Sequence, residues 1–142
     1  MGKKKGISTI YLSAAAKETG GKVITSEIES NKVEVAKKNI NDANLSEQTV
    51  FLEGDALQTI ESYLLKEKKT IDFLFLDGWK DLYLPLLKQL EKYFKTDTIV
   101  VADNVDFSID SIKQYLAYIR NPSNNYYSTL LNKRTEFSIY HK

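Results

Sequence analysis

The chain has 142 residues, 42% of them hydrophobic and 27% charged, which predicts one globular domain over residues 1–142 and excludes disordered, collagenous, coiled-coil and membrane-spanning classes. Twenty Lys and Arg against 19 Asp and Glu give a formal net charge of +1, too balanced for the whole surface to attract nucleic acid or lipid headgroups, so any binding must be local. The absence of Cys and the single His remove disulfides and thiolate chemistry and argue against a His-rich metal site or a serine-type triad. The start, Met1-Gly2-Lys3-Lys4-Lys5, lacks the apolar run of a signal peptide, and no segment approaches the roughly 18 apolar residues of a membrane span. A cytoplasmic protein is expected.

In chain order, the pattern predicts a helix over residues 7–18 closed by Gly20-Gly21, a strand over 22–26, and a helix from Ser30 carrying Val33, Val35, Ala36 and Ile40. A strand over 49–52 and a helix over 56–66 follow. The continuous apolar run Ile71-Asp72-Phe73-Leu74-Phe75-Leu76 predicts a strand buried on both faces. A helix over 82–94, a buried strand over 98–102 and a helix over 108–119 come next. Two alternating strands over 126–131 and 136–140 are expected as an antiparallel pair at one sheet edge. This alternation predicts an α/β fold with a mainly parallel sheet. The first helix begins only a few residues from Met1, so the strand that normally opens such a fold is expected to be missing.

In open parallel sheets, ligands bind at the carboxyl ends of the strands. Three predicted strand ends are acidic: Glu27, Asp77 and Asp103-Asn104. If the strands before Asp77 and Asp103 are neighbours, Asp77, Asp103 and Asn104 can converge as oxygen ligands on one hard cation, for which magnesium is the best match. The competing reading makes Asp77-Gly78 and Asp103-Asn104 simple turn formers. Glu27 follows Gly6 at close to the interval at which an acidic residue meets ribose hydroxyls in nucleotide-binding units, though it also precedes a helix, where a carboxylate is favourable without any ligand. Gly2-Lys3-Lys4-Lys5-Gly6-Ile7-Ser8 matches neither the dinucleotide fingerprint nor the phosphate-binding P-loop, which disfavours a general nucleotide-binding protein.

Taken together, Gly2-x-x-x-Gly6-x-Ser8, Ser26-Glu27-Ile28-Glu29, Glu53-Gly54-Asp55-Ala56, Leu76-Asp77-Gly78-Trp79-Lys80-Asp81-Leu82-Tyr83-Leu84-Pro85, Ala102-Asp103-Asn104-Val105 and Tyr115-Leu116-Ala117-Tyr118-Ile119-Arg120 resemble catechol O-methyltransferase and its bacterial relatives, in order and at compatible spacing. The resemblance runs almost from Met1 to Tyr140. It implies a Rossmann-like class I fold, S-adenosylmethionine as cofactor, magnesium or another divalent cation, and a small hydroxylated substrate such as an aromatic diol. Residue by residue, it implies Asp77, Asp103 and Asn104 as metal ligands and Lys80 as general base. Glu27 matches the carboxylate on the cofactor ribose, and Gly2, Gly6 and Ser8 the loop around the methionine end. Asp55 and Ala56 fall where the family lines the adenine, and Asp77 and Trp79 lie beside the cofactor. An activated sulfonium methyl needs alignment with an oxygen nucleophile that has lost its proton, and these residue types suit that task.

The departures are as informative. Family members carry a strand and helices ahead of the first glycine motif, so the sequence reads as an N-terminally truncated methyltransferase domain. Without the usual central strand, the strands before Glu27 and Asp77 should each present an unpaired edge. Three outcomes are expected: those strands close up, a second copy fills the gap as a homodimer, or the chain is an incomplete copy. A catalytically inactive remnant serving as a binding or oligomerisation module is the alternative to an enzyme.

Overall fold

The computed structural model describes residues 2–142, with side chains described from Ile7 onward. The elements, in order, are α1 (Gly2–Thr19), β1 (Val23–Glu27), α2 (Ser30–Asp42), β2 (Thr49–Glu53), α3 (Ala56–Glu67), β3 (Ile71–Leu76), α4 (Tyr83–Leu90), β4 (Phe94–Ala102), α5 (Asp110–Ile119), β5 (Tyr126–Leu131) and β6 (Thr135–Tyr140). The α/β alternation read from the sequence holds throughout. By its internal contacts the chain divides into two compact units, Met1–Tyr63 and Leu64–Lys142, with the division falling inside α3.

In the first unit, β1 and β2 pair in parallel, from Val23 opposite Thr49 to Glu27 opposite Glu53. Val33 and Ile40, two turns apart on α2, are buried with Leu45, so one face of α2 supplies the apolar contact that helix propensity alone cannot. Ser13 of α1 is fully buried and lies 2.7 Å from Thr49 Oγ1. Thr49 spends its single hydroxyl proton on the Leu45 carbonyl at 2.9 Å, so Ser13 must be the donor. α1 starts at Gly2, earlier than the expected start near Ile7. Lysine is a good helix former, and Lys3 to Lys5 extend the helix rather than leaving a loop.

The second unit holds a four-stranded sheet in the order β3-β4-β6-β5. β3 and β4 are parallel, whereas β6 runs antiparallel to both β4 and β5. The expected C-terminal antiparallel pair is therefore present at one edge. β3 forms the other edge, which corrects the expectation that it is buried on both faces: Phe73 is 44% exposed. An edge strand has one ladder partner, and a run of apolar residues cannot by itself reveal that. β1 likewise has one partner, so among the described residues the strands before Glu27 and Asp77 each end their own ladder, with the unpaired edges expected from the sequence.

The helix expected over 82–94 is shorter and is flanked by single turns of tighter helix at Lys80–Leu82 and Glu91–Tyr93. Phe94 is already extended and pairs with Ile71, after which the register jumps to Phe73 opposite Ile99. Thr98 closes this bulge, its hydroxyl accepting from Lys95 N at 2.9 Å and donating to the Ile71 carbonyl at 2.7 Å. Leu86, Leu87 and Leu90 of α4 and Ile112, Tyr115 and Ile119 of α5 form the core with Val100 and Ala102 of β4. Each buried Leu, Ile or Val among them contributes roughly 1.5–3 kcal/mol. That core holds the carboxyl end of β4 in place.

Candidate active site

The second unit builds its site from two adjacent strand ends. Leu76 opposes Ala102 in the parallel β3–β4 ladder, and Asp103 N donates to the Leu76 carbonyl at 2.9 Å. Asp77 and Asp103 are the next residues of their strands, so the ladder sets two carboxylates side by side at its carboxyl end. Asn104 follows with φ of 57°, a left-handed conformation that asparagine tolerates better than most residues. Its N–H donates to Asp103 Oδ1 at 2.9 Å, an oxygen that also accepts from Thr135 Oγ1 at 3.2 Å. Asp77 makes no hydrogen bond or ion pair among the described residues.

Lys80 stands in the turn between β3 and α4. Its Nζ donates to Tyr83 Oη at 2.8 Å and reaches the Gly78 carbonyl at 3.4 Å. Tyr83 Oη in turn donates to the Asp103 carbonyl at 2.9 Å. Tyr83 is 1% exposed, and its ring packs edge-on against Tyr115 at 5.8 Å, so the phenol is a fixed post for the lysine. Burial lowers the Lys80 pKa below the ordinary lysine value, with a smaller push in the same direction from Arg134, while the carboxylates of Asp77, Asp103 and Asp106 oppose the shift. Burial likewise raises the Tyr83 pKa, so Tyr83 stays neutral. Lys80 Nζ also lies 5.8 Å from the centre of the Phe107 ring, whose side chain is exposed, as is Trp79.

The donor set fits a divalent cation. Among the described residues no three His, Cys, Asp or Glu gather as a metal-binding group, so an ion here would rest on the carboxylates of Asp77 and Asp103 and the amide oxygen of Asn104. Hard oxygen donors in that number suit magnesium, which retains several waters.

The first unit carries the remaining sequence-predicted residues. Glu27 ends β1 opposite Glu53 and accepts from Glu29 N at 3.1 Å. Asp55 Oδ1 accepts from Leu57 N at 3.0 Å, capping the start of α3 where Ala56 sits. Gly54 has φ of 131°, and a Cβ there would meet Thr59 Cγ2 at 3.0 Å, so this turn requires glycine. Ser8 is half-buried on α1, not in the expected loop. The surroundings of Gly2 and Gly6 lie outside the described residues.

Tyr83 and Arg134 are the site residues that sequence reasoning missed. The Lys80-x-x-Tyr83 spacing was a usable signal, since residues three apart at a helix start share a face. Arg134, whose guanidinium donates to Asn104 Oδ1, lies 30 positions away and left no local trace. A groove of about 450 Å³ lined by Arg120, Tyr126, Tyr127 and His141 lies toward the opposite end of the β5–β6 ladder, where Tyr126 opposes Tyr140.

The chain is similar to known proteins in both sequence and fold. Residues 1–114 match the O-methyltransferase family profile. The chain is 31% identical over 138 residues to catechol O-methyltransferase B of Danio rerio, covering 94% of this chain and 50% of that protein. It is 32% identical over 120 residues to catechol O-methyltransferase of Mus musculus, covering 79% and 44% respectively. The chain thus spans about half the length of the curated relatives it matches. An O-methyltransferase of Bacillus cereus, solved in complex with SAH, superposes with a TM-score of 0.69 at 21% identity over 85% of this chain and 63% of that one. No helix among the described residues is long and apolar enough to cross a membrane. The chain belongs to the O-methyltransferase family, with a Rossmann-like α/β fold and motifs similar to those of catechol O-methyltransferases.

Proposed function

We propose that the chain carries the methyl-transfer site of an S-adenosylmethionine-dependent, magnesium-assisted O-methyltransferase acting on a small hydroxylated molecule, aromatic diols being the class suggested by the names of its relatives. The observation that carries this reading is the Lys80–Tyr83–Asp103 hydrogen-bond chain beside two carboxylates on neighbouring strand ends. Asp77, Asp103 and Asn104 would hold the cation, whose Lewis acidity favours the anionic form of a hydroxyl. S-adenosylmethionine supplies a methyl group already activated by its sulfonium. Glu27 would accept from the ribose hydroxyls, and Asp55 and Ala56 would line the adenine.

Lys80 performs the proton transfer. Its Nζ takes the hydroxyl proton when neutral, and burial favours the neutral amine. Tyr83 accepts a hydrogen bond from Nζ and donates its own to the Asp103 carbonyl, which orients the amine without competing for the substrate proton. Exposed Trp79 and Phe107 offer apolar surface to an aromatic ring.

Calorimetric titration of the chain with S-adenosylmethionine, with and without magnesium chloride, tests this reading. Saturable binding is expected. No heat under either condition would overturn it in favour of a non-catalytic module.

A further inference from the structure

The end of the β5–β6 hairpin clasps the Asp103-Asn104 segment. Asn132 and Lys133 both have positive φ, 50° and 60°, and Arg134 N donates to the Leu131 carbonyl at 3.2 Å, which is the form of a tight hairpin turn. From that turn, Arg134 O accepts from Val105 N at 2.9 Å and Thr135 Oγ1 reaches Asp103 Oδ1. The Arg134 guanidinium donates to Asn104 Oδ1, the same amide oxygen that completes the cation donor set. Arg134 makes no ion pair with a carboxylate among the described residues. A full positive charge is thus held on a neutral oxygen at the edge of the candidate cation site.

We propose that Arg134 is an internal counter-cation that competes with the divalent metal for Asn104 and so sets the metal affinity of the site. This rests on the reading of Asp77, Asp103 and Asn104 as the cation site. The competition follows from charge. A guanidinium in hydrogen-bond contact with a ligand oxygen lies only a few ångströms from where a divalent ion would sit, and like charges at that separation repel even at the higher dielectric of an exposed site. A divalent ion entering must displace the guanidinium from Asn104 or bind against its field. Arg134 is exposed, so the side chain has solvent to move into while its main chain stays fixed on Leu131 and Val105.

Calorimetric titration of magnesium chloride into the full chain, without cofactor or substrate, tests this for the wild type, Arg134→Gln, Arg134→Lys and Asp77→Asn. Arg134→Gln keeps a donor for Asn104 and removes the charge, and its magnesium affinity should rise about tenfold or more. Arg134→Lys keeps the charge and should stay within about threefold of the wild type. An Arg134→Gln affinity no tighter than the wild type, or no binding by either protein, would overturn the proposal. Asp77→Asn separates the two levels: if it alone abolishes binding while Arg134→Gln has no effect, the cation site stands and only the role of Arg134 falls. If Asp77→Asn binds like the wild type, the cation-site reading itself has failed.

Discussion

Lys80 Nζ donates a 2.8 Å hydrogen bond to Tyr83 Oη, and the buried phenol anchors that amine to the carbonyl of Asp103 at 2.9 Å. One hydroxyl therefore ties the candidate base to the strand end that carries a candidate metal ligand. Tyr83→Phe keeps the ring and its edge-on contact with Tyr115 and removes the tie. Misplacing a catalytic group typically costs one to two orders of magnitude, so turnover should fall about 10- to 100-fold with little change in KM. Steady-state kinetics with S-adenosylmethionine and magnesium check this, and an unchanged turnover would show that Lys80 is positioned by other contacts.

The lowered Lys80 pKa has a consequence for stability. Between the native pKa and the ordinary lysine value, the unfolded chain binds more protons than the folded one, so this group's contribution to stability rises with pH across that window. At neutral pH, below the window, the charged amine disfavours the fold. Lys80→Met should therefore be at least as stable as the wild type at neutral pH, with the advantage shrinking as pH approaches 10.5, the unperturbed lysine value. Urea denaturation at several pH values reads the difference directly.

Glu136 is fully buried, where it receives Arg120 Nε at 2.8 Å and Nη2 at 2.7 Å, with Ser128 Oγ donating at 2.6 Å. Arg120→Met leaves that carboxylate without its counter-charge. Removing one partner of a fully buried pair costs about 3–5 kcal/mol, and the half-exposed Arg120 side chain reduces the expected loss to about 2 kcal/mol. Chemical denaturation measures it, and a change within about 0.5 kcal/mol would mean that water already screens the pair.

Gly54→Ala places a Cβ 3.0 Å from Thr59 Cγ2 at a φ of 131°. Strain of this kind costs about 1–3 kcal/mol. Because Ser26 Oγ donates to the Gly54 carbonyl and also contacts Thr59 Oγ1, the turn between β2 and α3 should shift as a unit. Thermal melting should report the loss, and calorimetry should report weaker S-adenosylmethionine binding if Asp55 and Ala56 line the adenine.

Much of this was legible in the sequence because it is local. Apolar runs ending in Asp77 and Asp103 mark strand ends, and one parallel ladder is enough to set those residues side by side. Glu27 was legible for the same reason. The exposure of Phe73 was not, since it depends on which strands pair beyond β4. Nor was the end of α4: Phe94 is a good helix residue by period, yet it is drawn into the β3–β4 bulge that Thr98 closes. The Glu91 carboxylate, which accepts from the hydroxyls of Tyr118 and Tyr126, holds the turn just before it. Arg134 is the extreme case, because only the antiparallel return of β6 beside β4 brings it to Asn104.

Transfer of a labelled methyl group from S-adenosylmethionine to a hydroxylated aromatic acceptor in the presence of magnesium, compared between the wild type and Lys80→Met, tests the account most directly. The wild type should transfer the label, and Lys80→Met should lose transfer while its cofactor affinity stays within about threefold, because the role proposed for the lysine is on the substrate proton and not on cofactor binding. Transfer by Lys80→Met at the wild-type rate would contradict the account.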